Sequence, residues 1–353
     1  MRVNTDNGAV SMSRRMFRRQ SIRLLAGFGV VLMALTSCAS PEKSAELQQP
    51  ASASLETDSV STPIMIKSSD VAFPTPVTAP WQSQAPSRIV TLATGSGEIV
   101  AALGGADRVV GRDETSQSPE IDRAPIVTSG HAVNAEAVIA AQPDLVIVDP
   151  GTGPSEALDQ IRSVGIEVVE VPEAFSVAEV SAKVLAIGAA IGAPTTAIDQ
   201  VIELSTGGPN GGSPQGNTEL RVVFLYLRGT SAIYLLGGNG SGADDLITRS
   251  GATDVGAEAG FEAFTPLTAE ELINLNPDAV LVMMKGLESV GGVDGLFQLP
   301  GLAQSNAATT RYVVAVDDTL LLTFGPRTSG VIDSLTQAWS EFQVNGVRAG
   351  SQS

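Results

Sequence analysis

One cysteine, Cys38, and one histidine, His131, are all that the 353 residues contain of either type. A lone cysteine cannot form an intramolecular disulfide or build a Cys-rich metal site, and a lone histidine excludes a three-histidine transition-metal centre. A Ser-His-Asp or Cys-His catalytic set would have to use His131, and no motif around it supports one. Basic residues are scarce as well: 21 Lys+Arg face 38 Asp+Glu, for a formal net charge of −17. That sign opposes phosphate neutralisation and argues against nucleic acid as a partner, whereas a basic docking surface suits it. The apolar stretch at residues 24–35 runs for about a dozen residues, short of the roughly 20 that a membrane span needs.

That stretch has the flanks of an export leader. Arg14-Arg15 and Arg18-Arg19 precede it, and Leu35-Thr36-Ser37-Cys38 closes it in the form of a bacterial lipobox. Residues 1–37 are expected to be a lipoprotein signal peptide and Cys38 the lipidated first residue of the mature chain. Ser13-Arg14-Arg15-Met16-Phe17 has the form of a twin-arginine motif, but the general secretory route accepts the same residues, so both routes stay open. The leader holds six arginines and one aspartate, so the mature chain carries 15 basic and 37 acidic residues, a net charge of −22. Residues 38–86 are rich in Ser, Pro, Thr, Ala and Gln with little periodicity. They read as a flexible tether that holds a folded part off the extracytoplasmic face of the cell membrane.

Beyond the tether the chain repeats itself. Ala135-Glu136 leads through Pro143-Asp144 into a strand at residues 145–148, and 134 residues later Ala269-Glu270 leads through Pro277-Asp278 into a strand at residues 279–282. Each copy reads as a helix with an acidic first turn, a Pro-Asp stop and a buried apolar strand. Arg88-Ile89-Val90 and Arg221-Val222-Val223 open the two copies, and Gly95-Ser96-Gly97 and Gly240-Ser241-Gly242 follow those strands. Alternating strands and helices predict two Rossmann-like α/β lobes with parallel sheets, at residues 87–173 and 220–345. Between them, residues 176–191 predict one helix about 24 Å long at 1.5 Å per residue, enough to join the lobes stiffly. The bridging region is placed at residues 174–205, a Gly/Pro-rich loop at 206–219, a final helix at 328–342 and a tail at 346–353. Ligands of open α/β sheets sit outside the carboxyl ends of the strands, so the cleft between the lobes is the expected site.

Three constellations carry candidate chemistry. His131 lies in the loop Thr128-Ser129-Gly130-His131 before the first repeated helix, a place where a histidine can be a ligand or simply solvated. In Tyr226-Leu227-Arg228-Gly229 the side chains of Tyr226 and Arg228 share one face of a strand, so the guanidinium can reach the phenol oxygen and favour the phenolate. An interior tyrosine beside a surface arginine is the plainer reading of the same residues. Glu136 and Glu270 occupy the same place in the two repeats, where acidic residues favour a helix first turn and Thr268 with Glu271 makes a capping box. Met283 and Met284 follow the second repeated strand as core residues or, less simply, ligands. The glycine turns form no complete phosphate-binding motif.

From residue 87 to residue 342 the chain resembles the class III substrate-binding proteins of bacterial ABC importers, which include cobalamin, siderophore and haem binders. The Gly130-His131 loop and the Tyr226-Leu227-Arg228-Gly229 strand end resemble those of haemin-binding lipoproteins of actinobacterial type. The resemblance implies that His131 and Tyr226 are the axial ligands of haem iron, one from each lobe, with Arg228 hydrogen-bonded to the tyrosine. Tyrosinate is a hard anionic donor that suits ferric iron. It also implies that Glu136 and Glu270 meet arginines of a paired permease, served by its ATPase subunits. Phe261 and Phe264 offer rings to a porphyrin face. The expected activity is capture of ferric haem by a monomeric, lipid-anchored receptor that catalyses no covalent step. A siderophore or cobalamin receptor is the alternative within the class, and an envelope enzyme using the cleft is the alternative outside it.

Overall fold

In the computed structural model, which describes residues 62–78, 80–129, 132–208 and 219–350 (side chains to residue 342), the two Pro-Asp turns do the same work in both copies. Asp144 accepts from the backbone N–H groups of Ser87 and Arg88 at 2.8 and 3.0 Å, and Asp278 from that of Arg221 at 3.2 Å. The same two arginines reach back to the last carbonyls of the repeated helix, Arg88 to Ala141 and Gln142 and Arg221 to Leu275. A helix C-terminus favours a cation there. The residue before each proline, Gln142 or Asn276, turns left-handed at φ 48° or 41°. Proline disfavours the helical region in its predecessor, so both helices stop at this point. The leader, Cys38 and His131 lie outside the described residues.

The first lobe runs β2 (Ile89–Thr91), α1 (Ser96–Ala102), β3 (Val109–Arg112), the hairpin strands β4 (Thr128–Ser129) and β5 (Ala132–Val133), α2 (Ala135–Ala140), β6 (Leu145–Val148), α3 (Ser155–Ser163) and β7 (Glu167–Glu170), after a leading strand β1 (Ile64–Ile66). Two helices follow, α4 (Val177–Ala190) and α5 (Thr195–Thr206). The second lobe begins with β8 (Arg221–Arg228), β9 (Ile233–Leu236), α6 (Ala243–Arg249), β10 (Thr253–Asp254), α7 (Val255–Glu258) and β11 (Thr265–Pro266). It closes with α8 (Ala269–Leu275), β12 (Ala279–Met283), α9 (Met284–Ser289), α10 (Gly292–Leu296), α11 (Asn306–Thr310), β13 (Val313–Val316) and α12 (Thr328–Gly350). The last helix therefore runs eight residues past the predicted end at Phe342, into the segment assigned to the tail.

The first sheet, in the order β3-β2-β6-β7, is parallel throughout. Its central strand β6 is buried at every residue, as a strand covered on both faces must be. The second sheet, β1-β13-β12-β8-β9-β11 with β10 beside the start of β8, is mixed, which corrects the expectation of two parallel sheets. β8 is eight residues long, and only four residues, 229–232, connect it to β9. A link that short returns the chain antiparallel, so β9 pairs with Leu225–Arg228 and β11 then pairs with β9.

The tether assigned to residues 38–86 is also corrected. From Ile64 onwards it belongs to the fold: β1 pairs in parallel register with β13, and Ile66 and Val71 join the core. Three consecutive apolar residues suffice to cover an otherwise open sheet edge. Further along, the Arg108 guanidinium lies 4.1 Å over the Trp81 ring.

The helix α4 buries Val177, Val180, Val184 and Ile187 along one stripe. They pack into one continuous apolar cluster that includes Ile89 and Ile99 of the first lobe, Phe224, Leu281 and Val314 of the second, and Trp339 of α12. The two lobes are thus joined through a shared core as well as by a connector, and residues 58–353 form a single compact unit.

Candidate ligand-binding cleft

The carboxyl ends of the two sheets meet at the glycine turns. Gly95, the N-cap of α1 at φ 68°, packs so closely on Thr323 that an added Cβ would lie 2.3 Å from its Cγ2. Gly242, the N-cap of α6 at φ 84°, packs in the same way on the ring of Phe324. Both positions need glycine, for the left-handed backbone and for the approach. Lys183 of α4 reaches this segment and donates to the carbonyls of Thr323 and Phe324 at 3.0 and 3.1 Å. Beside it Arg327 forms a two-pronged pair with Glu98 of α1 at 3.0 and 2.6 Å, with both side chains nearly inaccessible. Arg327 also donates to the Ser68 hydroxyl and lies 4.1 Å over the Phe73 ring.

Burial pushes the Glu98 carboxyl above the usual carboxylate range, against the pull of Arg327. It pulls Lys183 down to about 8, against the nearby carboxylates of Asp149, Asp113, Glu98 and Glu173. This seam was not foreseen from the sequence. A lysine on the buried stripe of an apolar helix is its one local sign, and its partners are remote in the chain.

On the first lobe, the strand ends form a small hollow lined by Thr94, Asp113, Glu114, Thr115, Thr128 and Thr152. Asp113 accepts from the Thr115 N–H at 2.9 Å and the Ser116 hydroxyl at 2.5 Å, and burial nevertheless holds its carboxyl above the ordinary range. Asp149 accepts from the Thr94 N–H at 2.8 Å and the Thr152 hydroxyl at 2.6 Å. The β4–β5 pairing joins Thr128 to Val133 and Ser129 to Ala132. The described residues on either side of His131 therefore stand beside this hollow, although His131 itself lies outside them.

On the second lobe, alternation along β8 buries Leu225 and Leu227 and leaves Tyr226 and Arg228 half-exposed on the same face. The guanidinium lies over the phenol ring at 4.6 Å from its centroid. It donates to the Leu227 carbonyl at 3.0 Å and faces Asp318 at 3.5 Å. Arg228 thus covers the ring face here, rather than bonding the phenol oxygen. Phe264 meets the Tyr226 ring edge to face at 5.6 Å and 76°, from a left-handed backbone at φ 58° that a bulky residue seldom adopts. Asp318 was missed from sequence, and its position two residues past the end of β13 is the signal that marks it. Met283 is buried in the core, while Met284 is half-buried against the second cluster.

Glu136 and Glu270 are both exposed, each the second residue of its helix. The capping box at α8 forms as expected: Thr268 accepts from the Glu271 N–H at 3.2 Å, and Glu271 from the Thr268 N–H at 3.0 Å. Among the described residues no cluster of three or more His, Cys, Asp or Glu side chains is placed to hold a bare metal ion.

The family model described as periplasmic binding protein matches residues 89–320. Among curated proteins, an uncharacterized ABC transporter substrate-binding lipoprotein of Bacillus subtilis, YvrC, is 27% identical over 259 residues, covering 72% of this chain and 80% of its own. A cobalamin-binding protein of Halobacterium salinarum is 28% identical over 234 residues, covering 60% of each chain. Among solved structures, the periplasmic haem-binding protein RhuT from Roseiflexus sp. RS-1 is 35% identical with a TM-score of 0.64, covering 72% of this chain and 98% of that one. The haem-binding protein HmuT is 32% identical with a TM-score of 0.67, covering 78% and 97%, and is also solved with a histidine, a tyrosine or an arginine changed to alanine.

Proposed function

The chain belongs to the periplasmic binding protein family, and from that premise we propose that it captures ferric haem between its two lobes and delivers it to the permease of an ABC importer. The observation that carries the reading is the pair Tyr226 and Arg228 at the cleft end of β8, half-exposed and stacked on each other. In HmuT the tyrosine and arginine changed to alanine are likewise two residues apart, and the histidine precedes them as His131 precedes Tyr226. In this reading Tyr226 supplies a phenolate to one face of the iron and His131 an imidazole to the other. Arg228 offsets the phenolate charge through the ring face, and Phe264 keeps the ring from turning. The protein binds and releases its ligand without a covalent step. Cys38, lipidated at the end of the leader, would hold it at the extracytoplasmic face of the membrane.

Absorption spectroscopy tests the coordination. The full chain mixed with haemin is expected to give a six-coordinate ferric spectrum, and both Tyr226→Phe and His131→Ala are expected to change it, each by removing one donor. Unaltered spectra in both variants would remove the ligand assignment. Similarity to the cobalamin-binding protein favours cobalamin as a second reading. Tight binding of cobalamin with no haemin spectrum would decide for it.

A further inference from the structure

Haem carries two carboxylates as well as iron, and resting on the haem reading, we infer that Lys285 is the residue that receives a ligand carboxylate. The charges at the two strand edges are unequal. The first lobe presents Asp113, Glu114 and Asp149 around its hydroxyl-lined hollow. Lys183, which feels the charges of Asp149 and Asp113, is buried and already bonded to two carbonyls, and Arg112 donates to the carbonyls of Ser116 and Ala124. A ligand carboxylate at that edge would meet charges of its own sign. The second lobe carries the cations that face the cleft.

Most of those cations are committed. Arg228 is engaged by the Tyr226 ring, the Leu227 carbonyl and Asp318, and Arg327 by Glu98 and Ser68. Lys285, the first residue after Met284 beyond the end of β12, is exposed and forms no ion pair among the described residues. Only its backbone is used: its N–H donates to Asp318 Oδ2 at 2.9 Å. The other carboxylate oxygen of Asp318 lies 3.5 Å from the Arg228 guanidinium. One carboxylate thus separates Lys285 from the arginine that covers Tyr226. β12 is the direct neighbour of β8, about 5 Å away. Lys67, the other exposed lysine at this edge, follows β1, three strands and about 14 Å from β8. Reach therefore selects Lys285. A flexible ammonium with three donors can follow a propionate that swings out of the macrocycle plane. Asp318 gives the site its direction: its Oδ1 faces Arg228 at 3.5 Å without a hydrogen bond and its Oδ2 takes only the backbone N–H of Lys285, so the Lys285 ammonium is left with no ion pair among the described residues.

The test compares haemin with haemin dimethyl ester, whose carboxylates are masked, on the full chain. Lys285→Gln is expected to weaken haemin binding about tenfold, the size of one charge-assisted hydrogen bond. The ferric spectrum should be unchanged and affinity for the ester unaffected. Lys285→Arg is expected to restore most of the haemin affinity. The inference is overturned if Lys285→Gln weakens haemin and the ester equally, or weakens neither. Tyr226→Phe, run beside it, separates this result from the coordination reading, since it should alter the spectra of haemin and ester alike. If it alters neither spectrum, the coordination reading fails, while the contrast between haemin and ester still reports on Lys285.

Discussion

Lys183 keeps its ammonium in the seam between the lobes, bonded to the carbonyls of Thr323 and Phe324 and surrounded by the carboxylates of Asp149, Asp113, Glu98 and Glu173. Its affinity for a proton falls from an ordinary 10.5 to about 8 on folding, because burial outweighs those carboxylates. Between pH 8 and 10.5 the unfolded chain therefore holds a proton that the folded chain has released, so the contribution of Lys183 to stability rises with pH across that window. The rise amounts to about 3 kcal/mol at 1.36 kcal/mol per unit. Urea unfolding at pH 7.5 and at pH 10.5 is expected to show a gain from this residue that Lys183→Met lacks. Equal pH dependence in the two proteins would show that the lysine is not buried as described. At this scale the sequence was legible where side chains alternate locally: Tyr226 and Arg228 share a face as strand geometry requires. It was silent on where the guanidinium goes, because Asp318 lies 90 residues further along and only packing brings it close.

Turns and helix ends decide the next scale. Gly95 starts α1 from a left-handed backbone and touches Thr323, so Gly95→Ala meets both conformational strain and a clash with a side-chain methyl. A loss of about 2 kcal/mol in chemical denaturation is expected, in the range usual for a non-glycine residue held left-handed. A second change, Thr323→Ala, is expected to recover the part due to the clash but leave the strain. A loss under about 0.5 kcal/mol, no more than an ordinary surface substitution costs, would mean that the turn relaxes freely. Elements with strong local signals fell close to where their pattern put them: α4 keeps its buried stripe, and both Pro-Asp turns stop their helices. The β8–β9 hairpin and β1 carried weaker signals. An apolar strand reads alike whether its neighbour is parallel or antiparallel, and a three-residue strand is too short for periodicity to show.

For the whole molecule, duplication gives two lobes and one continuous core makes them a single unit. Lobes joined through one core each carry an exposed glutamate, Glu136 and Glu270, at the same place in the repeat, a placement that would suit docking to a transporter with two-fold symmetry. Glu136→Ala combined with Glu270→Ala is expected to leave haemin affinity unchanged and to lower uptake in cells at least tenfold. Uptake at the normal rate would show that docking uses another surface. The acidity of the chain, at a net −17, favours approach to a basic partner and predicts that association with the permease slows as salt is raised.

The sequence by itself determined the two α/β lobes, the helix between them, the stops of the repeated helices and the Tyr-x-Arg face. Each of these follows from side-chain periodicity or turn chemistry within a few residues, and such short-range rules act before any long-range contact forms. Only the tertiary structure decided the seam, in which Glu98 pairs with Arg327 across 229 residues, and the neighbourhood of Asp318, Arg228 and Lys285. Contacts between distant segments depend on how two sheets pack through a shared core, and no local pattern records that choice. The repeat made two similar jaws. Their unequal charges at the cleft came from which distant side chains the packing left paired and which it left free.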